Sequence, residues 1–297
     1  MKAKAKTSDR LATKAVMVYY HAANRQVFQG SVWLRNTPGA LASASAALAR
    51  SEVNLVATSA SNIPSTDLAE WAFFAEAGEG WPGLKKTQEV LEGCHGVVKS
   101  VLKEGDGGMV VDDLHYPLQM VTGEQVMVMS RKTFRDMFDR LRTIYGSGGR
   151  AIIYELGLAS GIESYTHFAR ILGSKSLQRR IPDLVSLYTA HGWGRAKNGE
   201  YQGHMFSMRP FRGTLKVYDS FECTGISTNT PNSDFLRGHL EGFVQTLTGE
   251  KIKCEETKCI SMGDVYCQFE CHEEIIHPNA PMPWKSEVWA SLNSKSS

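Results

Sequence analysis

The chain has 297 residues, 42% of them apolar and 22% charged, and its formal net charge is +2. This length predicts two domains, and this composition is typical of a soluble globular protein. A net charge so close to zero does not indicate binding to nucleic acid or to an anionic membrane, and no apolar run is long enough to span a bilayer.

The N-terminal residues 1–25 are basic and lack the apolar core of a secretory signal, so we expect a flexible tail with a short strand. The chain has six cysteines, four of them within residues 250–271. This clustering, without a secretory signal, favours reduced thiols or metal ligands over a disulfide framework. We therefore expect a cytoplasmic protein.

Residues 26–104 alternate between strand and helix patterns. Apolar alternation predicts four strands, and helical spacing predicts one helix after the first strand and another after the third. The order is βαββαβ, which predicts an α+β domain with an antiparallel sheet and both helices on one face. The glycine-rich residues 105–108 predict a hinge after this domain.

Part of this first domain resembles an ACT domain, a small regulatory module that commonly binds amino acids. The resemblance is carried by Val32-Trp33-Leu34, by the turn Asn36-Thr37-Pro38-Gly39, and by Val53-Asn54-Leu55. It implies a ferredoxin-like fold, pairing of two copies, and an amino-acid effector site at Asn36 and Gly39. The alternative is a pairing module whose site is empty.

Residues 109–275 are predicted to form a second domain, and residues 276–297 a tail. Short strands are followed by a helix that begins at Ser130, and then by a longer helix. In the longer helix, Gly157 and Gly161 lie four residues apart, a spacing that lets another helix approach closely. A third helix, further strands and a last helix precede the cysteine-rich segment.

The cysteine-rich segment contains the pattern E-x2-C-x7-C, formed by Glu256, Cys259 and Cys267. Alternation on both sides predicts two strands joined by a turn at Gly263. Thiolates and a carboxylate on adjacent strands can converge on a tetrahedral metal ion. The alternative is that these cysteines are small buried apolar side chains.

The C-terminal half resembles a 4-vinyl reductase domain. The resemblance is carried by Gly238-His239-Leu240-Glu241-Gly242-Phe243, by Glu256-Thr257-Lys258-Cys259, by residues 263–269, and upstream by Gly192-Trp193-Gly194. It implies an α/β fold related to vesicle-tethering subunits, usually dimeric, with a buried cavity for a small hydrophobic molecule. Related domains sense aromatic molecules for transcription activators, with a zinc ion organising the pocket, and others accompany tetrapyrrole synthesis.

The resemblance also implies a zinc site, with one departure. Zinc-binding relatives have a cysteine at the position of Ser233, and a serine hydroxyl is a poor zinc ligand. The expected zinc ligands are Glu256, Cys259, Cys267 and, replacing the missing cysteine, Cys223. The alternatives for the fourth ligand are Cys254, His239, Cys271 or a water molecule.

Aromatic and polar side chains between the third helix and the cysteine-rich segment are candidates for the ligand pocket. The alternative is that they only fill a core. The candidates are Tyr188, Trp193, Tyr201, His204, Phe206, Phe221, Phe235 and Cys254.

These features predict a homodimeric regulatory sensor that binds a small hydrophobic ligand. The first alternative is an enzyme or accessory carrier for a tetrapyrrole-type vinyl reduction, although the chain has no G-x-G-x-x-G turn for a nicotinamide cofactor. The second is an assembly scaffold without a ligand. We predict no catalytic residue and no DNA-reading helix, so any contact with nucleic acid would be made through a partner.

Overall fold

A computed structural model of the chain describes residues 13–173, 181–198, 206–208 and 211–274, with the backbone alone at residues 181–184, 198 and 206–208. The chain forms two compact units, Met1–Met127 and Val128–Ser297. Both units combine helices with antiparallel sheets. None of the described helices is long and apolar enough to cross a membrane.

The first unit is built on a four-stranded antiparallel sheet with two helices. Its elements are β1 (Tyr19–His21), β2 (Val27–Arg35), α1 (Ala40–Arg50), β3 (Val53–Asn62), β4 (Leu68–Ala77), α2 (Leu84–Glu92), β5 (Val97–Glu104) and β6 (Met109–Val111). The order in the sheet is β3-β4-β2-β5, and β1 pairs with β6 beside it. The predicted βαββαβ order and antiparallel pairing are confirmed.

Both helices of the first unit pack on one face of this sheet. Leu48 of α1 and Leu91 of α2 are buried in the same cluster as Phe28 and Trp71 of the strands. Alternation along a strand sends every second side chain to this face, which explains why a single apolar layer forms. The turn that precedes α1 is exposed, and Gly39 has φ 93°, a conformation that favours glycine.

The second unit contains four helices and five strands in its described part. Its elements are α3 (Arg131–Tyr145), α4 (Ser147–Leu172), α5 (Ile181–Ala190), β7 (Arg195–Asn198), β8 (Phe206–Met208), β9 (Phe211–Tyr218), α6 (Asp234–Thr248), β10 (Ile252–Lys258) and β11 (Cys267–Glu273). The order is β10-β11-β9-β7, and β8 also pairs with β9. As predicted, α3 begins after Ser130, whose side chain accepts the N–H of Thr133.

Four glycines line the contact between α4 and α6: Gly157, Gly161, Gly238 and Gly242. A Cβ atom at Gly161 would overlap the carbonyl oxygen of His239, and one at Gly238 would overlap that of Tyr154. The other two glycines meet the facing backbone in the same way. The two helices therefore touch backbone to backbone, which confirms the close approach predicted from the spacing of Gly157 and Gly161.

We expect Gly161→Ala to destabilise the second unit by about 1–3 kcal/mol, because a backbone oxygen cannot rotate away from the added methyl group. Gly148→Ala is the matched control, since its new Cβ would meet nothing closer than Tyr145 Cβ at 3.9 Å. Helix propensity predicts that the control gains up to about 1 kcal/mol. Urea unfolding curves of the two variants would measure the difference, and equal midpoints would contradict the close contact.

Candidate metal centre and ligand cavity

A cluster of three thiols and one carboxylate lies between the β10–β11 ribbon and the start of α6. Their ligand atoms all lie within 4.8 Å of one another. The members are Cys223, Glu256, Cys259 and Cys267, the four residues predicted as zinc ligands. Ligand atoms around a tetrahedral zinc ion are about 3.5 Å apart. The 3.6 Å between the sulfurs of Cys223 and Cys259 is close to this spacing.

Local backbone geometry brings the ribbon's three ligands to one side. The pairing of β10 with β11 shifts register between Glu256 and Lys258. This bulge leaves Thr257 and Lys258 both exposed and returns Cys259 to the buried side. The chain then turns through Ile260–Met262, and Gly263, at φ 101°, reverses it so that Cys267 opens β11. The predicted turn at Gly263 is confirmed.

Ser233 lies at the centre of the cluster, just before α6. Its hydroxyl donates to Glu256 Oε1 at 2.7 Å, and its backbone N–H donates to Glu256 Oε2 at 3.0 Å. The same hydroxyl lies 3.1 Å from Cys223 Sγ. The serine thus orients the carboxylate, while Cys223 supplies a sulfur atom beside the position at which the sequence resemblance implies a cysteine.

The electrostatics of the cluster favour a bound cation. Burial raises the pKa of Glu256 to about 8, and the nearby sulfur of Cys259 adds to the effect. Hydrogen bonds from Cys223 and Cys267 lower the pKa of Cys259, while donation to Cys259 raises the pKa of Cys223. Protons therefore hold the cluster together in the absence of a cation, and a divalent ion would displace them.

Glu222, next to Cys223, anchors the start of α6. Its fully buried carboxylate accepts the backbone N–H groups of Phe235 and Leu236 at 3.0 and 2.8 Å. Arg142 donates to it from α3 at 3.2 Å. Burial raises the pKa of Glu222 to about 7. A carboxylate at a helix N-terminus satisfies backbone donors that have no partner within the helix.

The remaining two cysteines of the ribbon form a disulfide, Cys254–Cys271. The prediction of reduced thiols is wrong for this pair. The physical reason is the register of β10 with β11, which places the two residues directly opposite each other with Cα atoms 4.1 Å apart. Such bonds persist in oxidising compartments and are rare in the cytosol.

A cavity of about 90 Å³ lies in the second unit between α4, α5, α6 and the sheet. Most of its lining side chains are aromatic or aliphatic. They come from Ser164, Phe168, Val185, Leu187, Tyr188, His191, Trp193, Phe211, Gly213, Thr214, Leu215, His239, Leu240, Phe243, Val244 and Cys271. Enclosed apolar space with few polar groups is the usual form of a small-molecule site.

One line of hydrogen bonds crosses the cavity wall. His239 Nδ1 lies 2.7 Å from the hydroxyl of Tyr188, and His239 Nε2 lies 3.2 Å from that of Ser164. Burial lowers the pKa of His239 to about 3 and raises that of Tyr188 above its usual range. The imidazole is therefore neutral and the phenol protonated, so this wall offers hydrogen bonds without a net charge.

The structure brings two of the predicted pocket residues, Tyr188 and Trp193, to the cavity. Phe221 and Phe235 lie outside its lining and pack in the core beside Trp193. Cys254 lies in a separate groove and is bonded to Cys271, which does line the cavity. Residues 201 and 204, predicted as Tyr201 and His204, lie outside the described residues, as does the side chain of Phe206.

Sequence reasoning missed the contribution of the helices to the cavity. Ser164 and Phe168 of α4 and Phe243 of α6 follow helical spacing and resemble ordinary core positions. His239 was predicted as an alternative metal ligand, whereas the structure places it at the cavity. The only sequence signal was the polar Ser164 and His239 on otherwise apolar helix faces, and each finds its partner only across the glycine-lined contact.

A family model for the 4-vinyl reductase domain matches residues 214–273. The predicted domain of this type is thereby confirmed for the C-terminal part of the chain. The matched stretch contains all four residues of the thiol–carboxylate cluster, together with His239. The cavity residues on α4 and α5 precede it.

An uncharacterised protein of Methanocaldococcus jannaschii is 26% identical over 105 residues, or 35% of this chain, and the match spans 60% of that relative's length. One similar solved structure is the phenol-responsive sensory domain of the transcription activator PoxR with phenol, at 20% identity, 51% of this chain, 78% of that chain and TM-score 0.42. Another is a vinyl-4-reductase family protein of M. jannaschii, at 18% identity, 50% of this chain, 85% of that chain and TM-score 0.36.

We expect His239 to make the second unit less stable in acid. Its folded pKa of about 3 is below the ordinary value of 6.5, so the stabilisation is complete above pH 6.5 and is lost as pH falls towards 3. Linkage predicts a loss of about 2 kcal/mol between about pH 7.5 and about pH 5. Unfolding curves of the wild type and His239→Gln would show this, because the variant lacks that part of the pH dependence. Parallel pH profiles would contradict it.

Proposed function

We propose that the chain is a regulatory sensor whose second unit binds a small hydrophobic ligand in the cavity beside His239. The observation that carries this proposal is an enclosed apolar cavity with a single uncharged line of hydrogen bonds in its wall. The match of residues 214–273 to the 4-vinyl reductase domain supports the assignment. A charged substrate would be excluded, since no ion in the lining would replace its hydration.

The size and polarity of the cavity restrict the ligand further. An apolar cavity of roughly 150 Å³ accommodates benzene. At about 90 Å³, this cavity takes a single aromatic ring, or a hydrocarbon of similar size, only if side chains adjust. When Tyr188 donates to His239, the tyrosine oxygen still accepts another hydrogen bond. A ring that carries one hydroxyl group would use this acceptor.

We propose that the thiol–carboxylate cluster binds zinc. Three thiolates and one carboxylate suit zinc, which accepts sulfur and oxygen ligands in a closed tetrahedral shell. The role of such an ion is structural, because four protein ligands leave no open position for a substrate. Zinc would tie β10 and β11 to the turn after β9 and, through Ser233, to the start of α6.

We propose that the first unit serves as an ACT-type module, for pairing two copies in a homodimer or for binding a second effector, such as an amino acid, at Asn36 and Gly39. The exposed turn before α1 supports this assignment. A ligand would act by shifting the population of two arrangements, which requires different affinities for each. A cytoplasmic location stays a prediction, with the disulfide as the observation against it.

We expect about one zinc ion per chain in protein purified without added metal, measured by elemental analysis. Cys259→Ser should lose the ion, and Cys223→Ser should lose it or bind it weakly. Cys94→Ser is the matched control, because Cys94 is a free cysteine of the first unit outside the cluster. The same zinc content in all variants would contradict the site.

Cys223 can be tested separately as the fourth ligand. Ser233 Oγ lies 3.1 Å from Cys223 Sγ, so a sulfur at position 233 should reach the same ion. We expect the double variant Cys223→Ser, Ser233→Cys to recover the zinc that Cys223→Ser loses. Failure to recover it, with the variant folded by circular dichroism, would show that the cluster depends on Cys223 for another reason.

We expect the full-length protein to bind phenol and toluene, with phenol bound more tightly, in calorimetric titrations. Tyr188→Phe should remove the preference for phenol, a change of about 1 kcal/mol for one neutral hydrogen bond. Val244→Phe should fill the cavity and abolish binding of both. Tyr145→Phe removes a hydroxyl from an exposed position outside the cavity and serves as the control. No binding by the zinc-loaded wild type would leave the scaffold as the better explanation.

A further inference from the structure

Six side chains on the outer face of the second unit's sheet combine positive charge with aromatic rings. Arg195 and Lys197 of β7 lie 5.8 and 5.7 Å from the ring centre of Tyr218 on β9. Two further lysines lie 5.0 and 5.2 Å from the ring centre of Tyr266. The two ring centres are 5.2 Å apart. The basic–tyrosine patch consists of Arg195, Lys197, Lys216, Tyr218, Lys258 and Tyr266.

The charges of this patch are not balanced within the fold. Lys197 lies directly opposite Lys216 in the antiparallel pairing of β7 with β9. Like charges at directly opposite positions destabilise a sheet. In the described part of the chain, none of the patch's four cations forms an ion pair, whereas Lys253 on β10 pairs with Glu255 at 2.5 Å. The patch thus weakens the fold slightly and leaves its charge available to an external anion.

An apolar tip adjoins the patch. The turn between β10 and β11 joins Lys258 to Tyr266, and its side chains Met262 and Val265 are 50% and 79% exposed. Asp264, between them, is directed inward and accepts the backbone N–H of Cys259 at 2.9 Å. The turn therefore presents two apolar side chains to solvent, with cations and tyrosines directly behind them.

We propose that the basic–tyrosine patch and its apolar tip dock the protein on an anionic lipid surface. Such a surface offers phosphate groups to the cations and an apolar interior to Met262 and Val265 in one flat layer. Tyrosine is favoured at the boundary between the two. The net charge of +2 predicts no such partner, but the patch concentrates unpaired charge on one face.

A lipid surface fits these observations better than nucleic acid does. Single strands bind by stacking bases on open aromatic faces. Here each tyrosine ring already has two cations within 5.8 Å of its centre. Reading a duplex requires an element that enters a groove, whereas the patch lies on the face of a sheet. Neither form of nucleic acid would give Val265 an apolar environment.

Flotation of the full-length protein with lipid vesicles tests the proposal. We expect binding to vesicles of equal parts phosphatidylcholine and phosphatidylglycerol, weak binding to pure phosphatidylcholine, and loss of binding in high salt. Lys197→Glu should weaken binding about tenfold or more. It should not lower the melting temperature, because it converts a like-charge pair with Lys216 into an attractive one. Val265→Asn should weaken binding without changing the salt dependence.

Arg140→Glu is the control, since it reverses an exposed charge on α3 outside the patch and should bind as the wild type does. The proposal is overturned if the wild type does not float with the mixed vesicles, or if Lys197→Glu and Val265→Asn bind like Arg140→Glu. It is also overturned if a fluorescent oligothymidylate or polyglutamate binds more tightly than the mixed vesicles and responds to the same variants. These outcomes do not depend on the cavity or on its ligand.

Discussion

The backbone contact between α4 and α6 is the constraint on which the second unit depends. Side chains at the four glycine positions would push the helices apart, and Ser164 and His239 would no longer lie 3.2 Å from each other. The same displacement would move the start of α6, where Ser233 meets Glu256. Close helix packing therefore sets the geometry of both the cavity and the thiol–carboxylate cluster.

Helix α6 also connects these two sites mechanically. Its first turn is held by the buried carboxylate of Glu222, and the residue before it bonds to Glu256 in the cluster. His239 follows less than two turns later and lines the cavity. A helix is stiff over this length, so metal binding at one end restrains the cavity wall at the other. A ligand against His239 would act on the cluster through the same helix.

The six cysteines serve three different purposes, which their spacing alone does not separate. Three are buried together at the cluster, where a bulge in β10 and the turn after β9 direct them inward. Cys254 and Cys271 are joined because the register sets them opposite each other. Cys94 lies in the first unit, away from the rest. The basic–tyrosine patch likewise depends on register, since Lys197 and Lys216 are distant in sequence.

Local pattern was sufficient to predict the βαββαβ order, the cysteine ribbon with its turn at Gly263, the close approach at Gly157 and Gly161, and the grouping of Cys223 with Glu256, Cys259 and Cys267. These features follow from periodicity, glycine spacing and family resemblance, which are properties of short stretches. Only the tertiary structure decided that Cys254 and Cys271 form a disulfide, that His239 belongs to the cavity, that Phe235 belongs to the core, and that unpaired lysines share one face. Each of these depends on which strands and helices become neighbours, and that is set by packing across the whole unit.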